Sequence, residues 1–532
     1  MSETSFDYIV VGGGAGGCAV ASRLSEDPNV SVAVLEAGGD GNSWVVNTPA
    51  AVIAMLPTKL NNWAFETVPQ PGLNGRRGYQ PRGKALGGSS AINAMCYIRG
   101  NRWDYDHWAA LGNDGWSYDD VLPFFKRSEN NAELHDEYHG NDGPLRVGGL
   151  QSDNPYAAIY LEAGRQAGYP LTQDFNGAQQ EGVGIYQVTQ HNGERWSAAR
   201  GYLHPYMGKR SNLQVITGAH ATRILMEGKR ATGVEFLQGG QKRSLTAKRE
   251  VLLAGGSLQT PQLMMLSGIG PGAHLQQMGI PLVHELPGVG QNLQDHPDFT
   301  FNYYADSLDL MGFSIGGSVR MTREFWRYNS KRRGLLSSNF AEGGAFLKTD
   351  PSLPAPDIQL HFVIGMVDDH ARKLHLGHGY SCHVCVLRPK SMGEVTLASS
   401  DPLAAPLINP RFLEHPDDMD TLVRGFKMTR KLMDTPALSS ARTRDKLTAN
   451  VHTDDDIRAI LRARTDTVYH PVGTCKMGTD AMAVVDPALK VHGLQGLRIV
   501  DASIMPTLIG GNTNAPTMMI GEKAADLIRA GS

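Results

Sequence analysis

Three glycines near the start of the chain have the spacing of a turn that binds phosphate. Gly12, Gly14 and Gly17 form a G-x-G-x-x-G pattern, and an acidic residue, Glu36, follows them. The first glycine permits a tight turn, the second lets the backbone approach a pyrophosphate, and the third lets a helix pack closely against a strand. A carboxylate at Glu36 can accept hydrogen bonds from both hydroxyls of an adenosine ribose. The pattern predicts a dinucleotide site, and it does not separate FAD from NAD.

The elements that must position this turn are visible on both sides of it. Residues 6–11 (FDYIVV) are apolar and β-branched, which predicts a buried strand. The run AGGCAVASRLSED is typical of a helix, and VSVAVLEAG predicts a second strand that ends at Glu36. The helix N-terminus then offers unpaired N–H groups to the phosphates. A glycine-rich turn without a ligand would explain the glycines alone, but not strand, helix, strand and acid in register.

The composition is that of a large globular protein. Charged residues make up 19% and hydrophobic residues 41% of the 532 residues, a length that predicts two lobes or one large fold with an insert. A net charge of −3 gives no electrostatic basis for a nucleic-acid partner. The five cysteines are unevenly spaced, which does not indicate a disulfide framework. Without a signal peptide or a run of ~18 apolar residues, we expect a cytoplasmic protein, with peripheral attachment to the inner membrane left open.

Further segments carry loops suited to a nucleotide cofactor. Pro81–Gly100 contains a Gly-Gly-Ser-Ser loop followed by Asn93, and Gly256–Gly270 follows the predicted strand REVLL. Together with Asn292–Pro297 (NLQDHP), Tyr469–Gly478 (YHPVGTCKMG) and the late run GGNTNAPT, they resemble the glucose–methanol–choline (GMC) oxidoreductases along essentially the whole chain. The resemblance is greatest to bacterial choline dehydrogenases and to aliphatic alcohol or polyethylene glycol dehydrogenases.

The resemblance implies an α/β fold class, α+β overall. A Rossmann-like FAD-binding domain would be built from the discontinuous segments 1–155, 205–305 and 465–532. The segments 156–204 and 306–464 would form an inserted substrate domain of antiparallel sheet plus helices.

Residue patterns support the inserted domain independently. Residues 380–397 alternate like a pair of sheet strands, whereas residues 415–463 have helical periodicity and many charges. Cys382, His383 and Cys385 invite a metal interpretation. Positions three apart on a strand face opposite sides, however, and no second ligand pair follows at zinc spacing. We therefore predict no metal site.

The resemblance also implies a reaction: FAD-dependent oxidation of a primary alcohol to an aldehyde, by hydride transfer to flavin N5. Such a reaction needs a base for the hydroxyl proton, and histidine is the usual one. The chain has 18 histidines, of which His470 matches the catalytic histidine of the family motif, beside Pro471 and Gly473, which shape a close turn. Asn512 matches the His or Asn beside the base and can donate to the substrate oxygen, with Asn514 as the alternative.

The family motifs also carry a set of FAD contacts onto this chain. The predicted contacts are Gly12, Gly14, Ala15, Gly17, Glu36, Ala37, Trp63, Arg82, Gly83, Leu86, Gly87, Gly88, Asn93, Ala94, Cys96, Ala221, Gly255, Asp501, Ala502, Thr513 and Asn514. Thr513 and Asn514 are assigned to the pyrimidine edge, and Asp501 with Ala502 to the ribityl or pyrophosphate part. A helix N-cap is the alternative role for Asp501. Some relatives tether the flavin through a histidine where this chain has Ile92, so we expect non-covalent FAD.

Several alternatives stay open at this stage. His296 and His361 are rival bases, each expected to be a satisfied or pocket-lining histidine. Glu342 could meet a cationic substrate, and a solvated loop acid is its expected role. An oxygen-using oxidase, a GMC-fold flavin lyase or isomerase, and a non-enzymatic relative are the other functions considered. The intact glycine turn and His470 favour an enzyme, and Asn512 with Ile92 favours a dehydrogenase that reduces a quinone or another acceptor.

Overall fold

The predicted N-terminal strand lies inside a mostly parallel sheet. The computed structural model describes residues 4–531, and this first sheet has seven strands within them. In spatial order its main strands are Leu213–Thr217, Val32–Glu36, Ser5–Val11, Gln241–Leu253, Arg230–Gln238 and Ala219–Glu227, and Leu497–Ile499 pairs with Gln241–Leu253. The central strands are buried on both faces because their Val, Ile and Leu side chains pack beneath helices.

Two helices from opposite ends of the chain pack together on the first sheet. Ala15–Leu24 follows the glycine turn, and Asn514–Ala530 lies against it. Gly521 permits the close approach, because a Cβ atom there would clash with the carbonyl oxygen of Gly16. The other helices around this core are Arg102–Ala110, Tyr118–Ser128, Ala198–Tyr202, Gly256–Leu266 and Gly272–Gln277.

A second, antiparallel sheet has its own hydrophobic core. In spatial order its main strands are Arg442–Asp445, Pro297–Ala305, Gly377–Val386, Ile358–Val363, Ala341–Leu347 and Gly182–Ile185. The short strand Gly312–Phe313 pairs with Gly377–Val386, and Asp466–Thr467 pairs with Pro297–Ala305. Helices that contribute to this core are Tyr156–Gln166, Ile315–Lys331, Pro416–Met433, Pro436–Ser439 and Asp454–Arg464. The predicted fold class is therefore confirmed.

Shorter elements complete the chain. A three-stranded sheet is formed by Gln291–Leu293, Gly393–Thr396 and Leu407–Asn409. The paired short strands are Phe65–Glu66 with Tyr79–Gln80, Glu129–Asn131 with Leu145–Val147, Gln190–His191 with Glu194–Arg195, and Ile269–Gly270 with His284–Glu285. The short helices Trp44–Asn47 and Val52–Met55 follow the strand Val32–Glu36 in the chain. Within residues 4–531, every helix is too short or too polar to cross a lipid bilayer.

Two elements lie with a different sheet from most of their predicted segment. The strand Pro297–Ala305 belongs to the second sheet although it lies in segment 205–305, because its alternating aromatic side chains, Phe299 and Phe301 among them, are buried in the second core. The helix Ala198–Tyr202 belongs to the first core although it lies in segment 156–204, since its small residues pack near Ala15–Leu24.

The strand pair predicted over residues 380–397 also differs from the structure. Both strands exist, as Gly377–Val386 and Gly393–Thr396, but they do not pair with each other. The second strand pairs instead with Gln291–Leu293 and Leu407–Asn409. Alternation along a strand predicts which face is buried, not which partner it has.

Candidate active site

A cavity of about 1190 Å³ joins the glycine turn of the first sheet to the second sheet. Most of the residues predicted to bind FAD or to act in catalysis line it. They are Gly12, Gly14, Ala15, Glu36, Ala37, Trp63, Arg82, Gly83, Gly88, Asn93, Ala94, Cys96, Ala221, Gly255, His470, Asp501, Ala502, Asn512, Thr513 and Asn514. The structure thus brings together residues that lie far apart along the chain.

Three predicted residues lie behind this lining. Gly17 lets the helix Ala15–Leu24 pack on the strand before it, because a Cβ atom there would meet the carbonyl oxygen of Gly12. Leu86 is fully buried and packs against the glycine turn. Gly87 has a φ of 95°, and its N–H donates to the carbonyl of Gly13 at 2.7 Å. These three residues hold the lining in place.

Glu36 is held by backbone donors at the carboxyl end of its strand. Its Oε2 accepts from the N–H of Gly13 at 3.0 Å, and its Oε1 accepts from the N–H of Gly38 at 2.7 Å. Burial raises the pKa of Glu36 to about 7, although the two backbone donors oppose the shift. Each carboxylate oxygen keeps a further lone pair, which suits a ribose hydroxyl.

Two helix N-termini at the cavity lack a side-chain cap, which suits the binding of FAD. Ala15–Leu24 and Asn514–Ala530 both begin at the cavity lining, and neither has a side-chain cap. The first N–H groups of a helix need external partners, and the helix dipole favours negative charge there. The first terminus suits a pyrophosphate and the second an electron-rich ring, as a flavin dinucleotide provides.

Side chains hold the backbone of His470 and of the residue before it. Its N–H donates to Oδ1 of Asp295 at 2.9 Å, and the preceding carbonyl, of Tyr469, accepts from Nη2 of Arg82 at 2.7 Å. Tyr469 has a φ of 77°, a strained value for a bulky residue. Gly473 has a φ of 90°, and a Cβ atom there would clash with the carbonyl of Asn292. The turn expected around His470 is therefore present.

A second histidine fixes the tautomer of His470. Nδ1 of His470 lies 3.0 Å from Nδ1 of His296, and Nε2 of His296 lies 3.1 and 3.2 Å from the carbonyl oxygens of Leu387 and Ile509. Carbonyl oxygens only accept, so Nε2 of His296 carries the proton and its Nδ1 accepts from His470. The neutral His470 therefore presents an unprotonated Nε2.

Asn512 lies beside that unprotonated nitrogen. Its Nδ2 is 3.2 Å from Nε2 of His470 and 3.4 Å from Nε2 of His361. Its Oδ1 accepts from Nε2 of Gln359 at 2.9 Å, which orients the amide with its nitrogen toward the two histidines. Asn514 is the first residue of the C-terminal helix. Asn512 is therefore the asparagine whose side chain contacts His470.

All three histidines of this cluster are held neutral. Burial, and then the neighbouring His296, His361 and Arg82, lower the pKa of His470 well below its ordinary value. Burial lowers the pKa of His296 to about 3, with carbonyl acceptors opposing the shift. Burial, followed by His383, lowers the pKa of His361 to about 3. An unprotonated imidazole at His470 is the form that can accept a proton.

The carboxylate of Asp501 is engaged by protein donors. Its Oδ1 accepts from the N–H of Ser503 at 2.8 Å, and its Oδ2 accepts from the N–H of Gly256 at 2.8 Å and the hydroxyl of Thr260 at 2.6 Å. The N-cap role considered for Asp501 is thus present, at a short 3₁₀ helix. Asp501 also lines the cavity, and its contact with FAD stays a prediction.

Comparison with known proteins places the chain in a family. The family models described as GMC oxidoreductase match residues 6–298 and 389–521. This chain is a GMC oxidoreductase. Its cofactor is FAD, and the resemblance predicted from the motifs is confirmed.

Its relatives match over nearly their whole length. An alcohol dehydrogenase (acceptor) of Pseudomonas putida is 46% identical over 98% of this chain and 95% of its own. The mitochondrial choline dehydrogenase of Homo sapiens is 42% identical, over 99% and 90%. Among solved structures, pyridoxine 4-oxidase from Mesorbium loti has a TM-score of 0.89 at 29% identity, covering 99% of both chains. Formate oxidase has a TM-score of 0.91 at 27% identity, covering 100% and 99%.

The reaction end of this GMC oxidoreductase is lined by apolar side chains. Met311, Met321, Phe340, Val363 and Met366 line the same cavity as His361, His470 and Asn512. They come from the second sheet and the segments that flank it. This end of the cavity therefore suits a hydrocarbon chain.

The nearby acidic groups do not face that space. Asp298 accepts from Nδ1 of His383 at 2.6 Å and borders a separate polar cavity of about 290 Å³, while His383 lines the main one. Glu342 is wholly buried on the strand Ala341–Leu347, where burial raises its pKa and the hydroxyl of Ser338 donates to it. The expectation of a solvated loop acid at Glu342 was wrong, because the surrounding strand is central in the second sheet.

Sequence reasoning missed several residues of this site. Gln359 orients Asn512, Asp295 binds the backbone of His470, and His383 covers Asp298. Asp295 lies in the NLQDHP motif, so the signal was present. Gln359 and His383 lie on strands whose pairing brings them to the site, which no local pattern predicts. His296 and His361 were each expected to be a hydrogen-bonded or a pocket-lining histidine. The structure confirms this: both ring nitrogens of His296 have hydrogen-bond partners, and His361 lines the cavity.

Proposed function

We propose that this GMC oxidoreductase oxidises an uncharged aliphatic primary alcohol to an aldehyde, with His470 as the base. One observation carries the proposal: Nε2 of His470 and Nδ2 of Asn512 lie 3.2 Å apart and line the apolar end of the cavity. An acceptor and a donor side by side suit the two needs of a hydroxyl group, which loses a proton while its oxygen gains charge.

Asn512, His470 and His296 have separate roles in the proposed reaction. The N–H of Asn512 donates to the hydroxyl oxygen of the alcohol and stabilises the charge that develops there. Nε2 of His470 accepts the hydroxyl proton, and its Nδ1–H keeps donating to His296. His296 thereby orients the base and stabilises its protonated form. FAD, when bound, accepts the two electrons that leave the alcohol with its carbon-bound hydrogen.

The lining supports an uncharged substrate over a quaternary ammonium. Among the described residues, the acidic members of the lining are Glu36 and Asp501, both at the nucleotide end. A cation in the apolar end would need a carboxylate or an aromatic cage. Asp298, which borders the second cavity, is paired with His383 instead. Choline is therefore the weaker substrate in this proposal.

The electron acceptor proposed is a quinone or another organic acceptor. The support is the 46% identity to a relative named as an acceptor-dependent alcohol dehydrogenase. Quinones dissolve in lipid, so we also propose a peripheral position on the inner membrane. FAD is proposed to be held without a covalent bond, because Ile92, which lines the cavity, has a side chain without a nucleophilic atom.

The proposed domain division follows the two sheets. We assign FAD binding to the first sheet and its core, which the segments 1–155, 205–305 and 465–532 largely supply. Substrate binding is assigned to the second sheet, supplied largely by 156–204 and 306–464. The boundary near residue 305 is moved back to Pro297, where the strand of the second sheet begins.

Anaerobic bleaching of the bound flavin by a panel of alcohols tests this function. We expect 1-butanol, 1-hexanol and 1-octanol to reduce the flavin, and choline to do so at least about tenfold more slowly at equal concentration, as one unpaired buried charge implies. Reoxidation should be faster with a quinone than with oxygen. Faster reduction by choline would overturn the substrate class, and peroxide formed at the rate of quinone reduction would make the protein an oxidase.

A further inference from the structure

Exposed apolar side chains are concentrated on one helix and one loop. In the helix Ile315–Lys331, here called the mouth helix, Ile315 is 90% exposed and Val319 and Trp326 are each 69% exposed. Leu376, in a loop beside the helix, is 85% exposed. Large apolar residues with this exposure carry a cost in water, and a group of them marks an interaction surface.

Contacts join neighbouring members of this exposed group. Phe313, just before the mouth helix, bridges to Leu376 through the backbone. The ring centroids of Phe325 and Trp326 are 6.0 Å apart, and those of Phe325 and Trp44 are 6.2 Å apart. We call the group of Trp44, Leu308, Phe313, Ile315, Val319, Phe325, Trp326, Leu374 and Leu376 the mouth patch.

The mouth patch surrounds an entrance to the active-site cavity. Phe313, Phe325 and Leu374 are exposed to solvent and also line that cavity. Gly317 and Met321, on the adjacent stripe of the mouth helix, line it as well. A molecule seated on the patch would therefore lie directly against the opening.

Basic residues accompany the apolar ones. From Ile315 to Arg333 the chain has six basic residues (Arg320, Arg323, Arg327, Lys331, Arg332 and Arg333) and one acidic residue, Glu324. Arg320, Arg327, Arg332 and Arg333 form ion pairs with Asp309, Asp153 and Glu194, and Glu324 is buried and accepts from the N–H of Leu335. Arg323 and Lys331 are exposed. A helix with exposed aromatic and aliphatic side chains and exposed basic residues such as Arg323 and Lys331 has the chemistry of an element that lies in a membrane interface.

We propose that the mouth patch docks on an anionic lipid bilayer, with the entrance of the cavity facing the headgroups. The apolar side chains insert among the lipids, and the exposed Arg323 and Lys331 bind the lipid phosphates. Resting on the proposed function, this orientation gives a lipid-dissolved alcohol or quinone direct access to the active site. A second copy of this chain fits the patch less well, because a two-fold contact would bring the exposed Arg323 and Lys331 of two mouth helices together.

Sedimentation of the FAD-loaded enzyme with lipid vesicles tests the apolar part. We expect binding to vesicles of phosphatidylglycerol mixed with phosphatidylcholine, and about tenfold or more weaker binding for the quadruple variant Ile315→Ser, Val319→Ser, Trp326→Ser and Leu376→Ser. None of these four side chains lines the cavity. The matched control changes three other exposed leucines, Leu171→Ser, Leu282→Ser and Leu403→Ser, and should bind as the wild type does.

A second pair of variants tests the charge. Arg323→Gln with Lys331→Gln should weaken binding to anionic vesicles by about fivefold for each charge removed, and less at high salt. Arg243→Gln with Lys248→Gln, at exposed positions in the first part of the strand Gln241–Leu253, is the matched control and should leave binding unchanged.

Turnover with a water-soluble dye separates this inference from the proposed function. The dye assay and the flavin content should be the same in the patch variants and the wild type, which also shows that they fold. Equal vesicle binding of the quadruple variant and the wild type, or no binding of the wild type to anionic vesicles, would overturn the inference. A wild-type dimer in solution that the quadruple variant abolishes would assign the patch to a second copy instead.

Discussion

The two ends of the cavity present different chemical groups. The nucleotide end is made of backbone: glycine turns, two uncapped helix N-termini, and a carboxylate, Glu36, that is itself held by N–H groups. The reaction end is made of side chains, in which His296, His470, Asn512 and Gln359 form one hydrogen-bonded chain. A backbone site tolerates changes in most side chains, whereas a chain of side chains fails when one member is removed. Variants of the two ends should therefore fail in different ways.

The largest effect should come from the base. His470→Ala should slow reduction of the flavin by alcohol about 10²–10⁴-fold, the scale of a lost general base. FAD should stay bound at wild-type stoichiometry, because the nucleotide end is untouched. Anaerobic stopped-flow absorbance measures the rate, and the flavin-to-protein absorbance ratio measures occupancy. Loss of FAD from this variant would show that FAD binding also depends on the reaction end, which contradicts the comparison.

A smaller loss should follow removal of the neighbouring donor. Asn512→Ala should slow flavin reduction on the order of 10²-fold, since the base remains in place. The double variant with His470→Ala should fall well short of the product of the two single losses, because both groups act on one oxygen. Losses that multiply fully in the same stopped-flow assay would mean that the two side chains act independently.

At the nucleotide end, the expected effect is on affinity. Glu36→Ala should weaken FAD binding by about 1–3 kcal/mol, the scale of hydrogen bonds to a buried charged group. The variant refilled with excess FAD should reduce at a rate close to the wild type. Titration of the apoprotein with FAD, followed by fluorescence, measures the change. Full FAD retention combined with lost turnover would show that Glu36 serves the reaction end.

The smallest effect should be that of pH on the wild type. Because burial and neighbouring groups lower the pKa of His470 well below its ordinary value, the imidazole is already unprotonated at neutral pH. The neutral form is the active one, so the rate of flavin reduction should be constant above about pH 6.5, the unperturbed histidine value. It should fall only as the solution becomes more acidic. A rate that still rises severalfold between pH 7 and 9 would contradict this assignment.

The nucleotide end could be predicted almost completely from the sequence. Its turn, helix and strands follow one another within residues 6–36, so local pattern and local structure coincide. The assignment of Asp501 was less complete, because its carboxylate satisfies donors at Gly256 and Thr260, far away in sequence. At this end, the contacts that the motif did not predict are those between residues far apart in sequence.

The reaction end could be predicted only in part. His470 and Asn512 carry motif signals, but their partners are brought in by folding: Gln359 and His361 by the strand Ile358–Val363. The membership of Pro297–Ala305 in the second sheet was also missed, because pairing between distant strands is not encoded in either strand alone. Residues that act through tertiary contacts need the structure to be found.

The most direct test of the base compares two histidines on either side of Asn512. His470→Ala and His361→Ala should be mixed anaerobically with the same alcohol, and the loss of oxidised-flavin absorbance followed by stopped flow. The structure predicts that His470→Ala loses at least about 10²-fold in rate, while His361→Ala stays within about tenfold of the wild type. Near-normal reduction by His470→Ala together with collapse of His361→Ala would contradict the account.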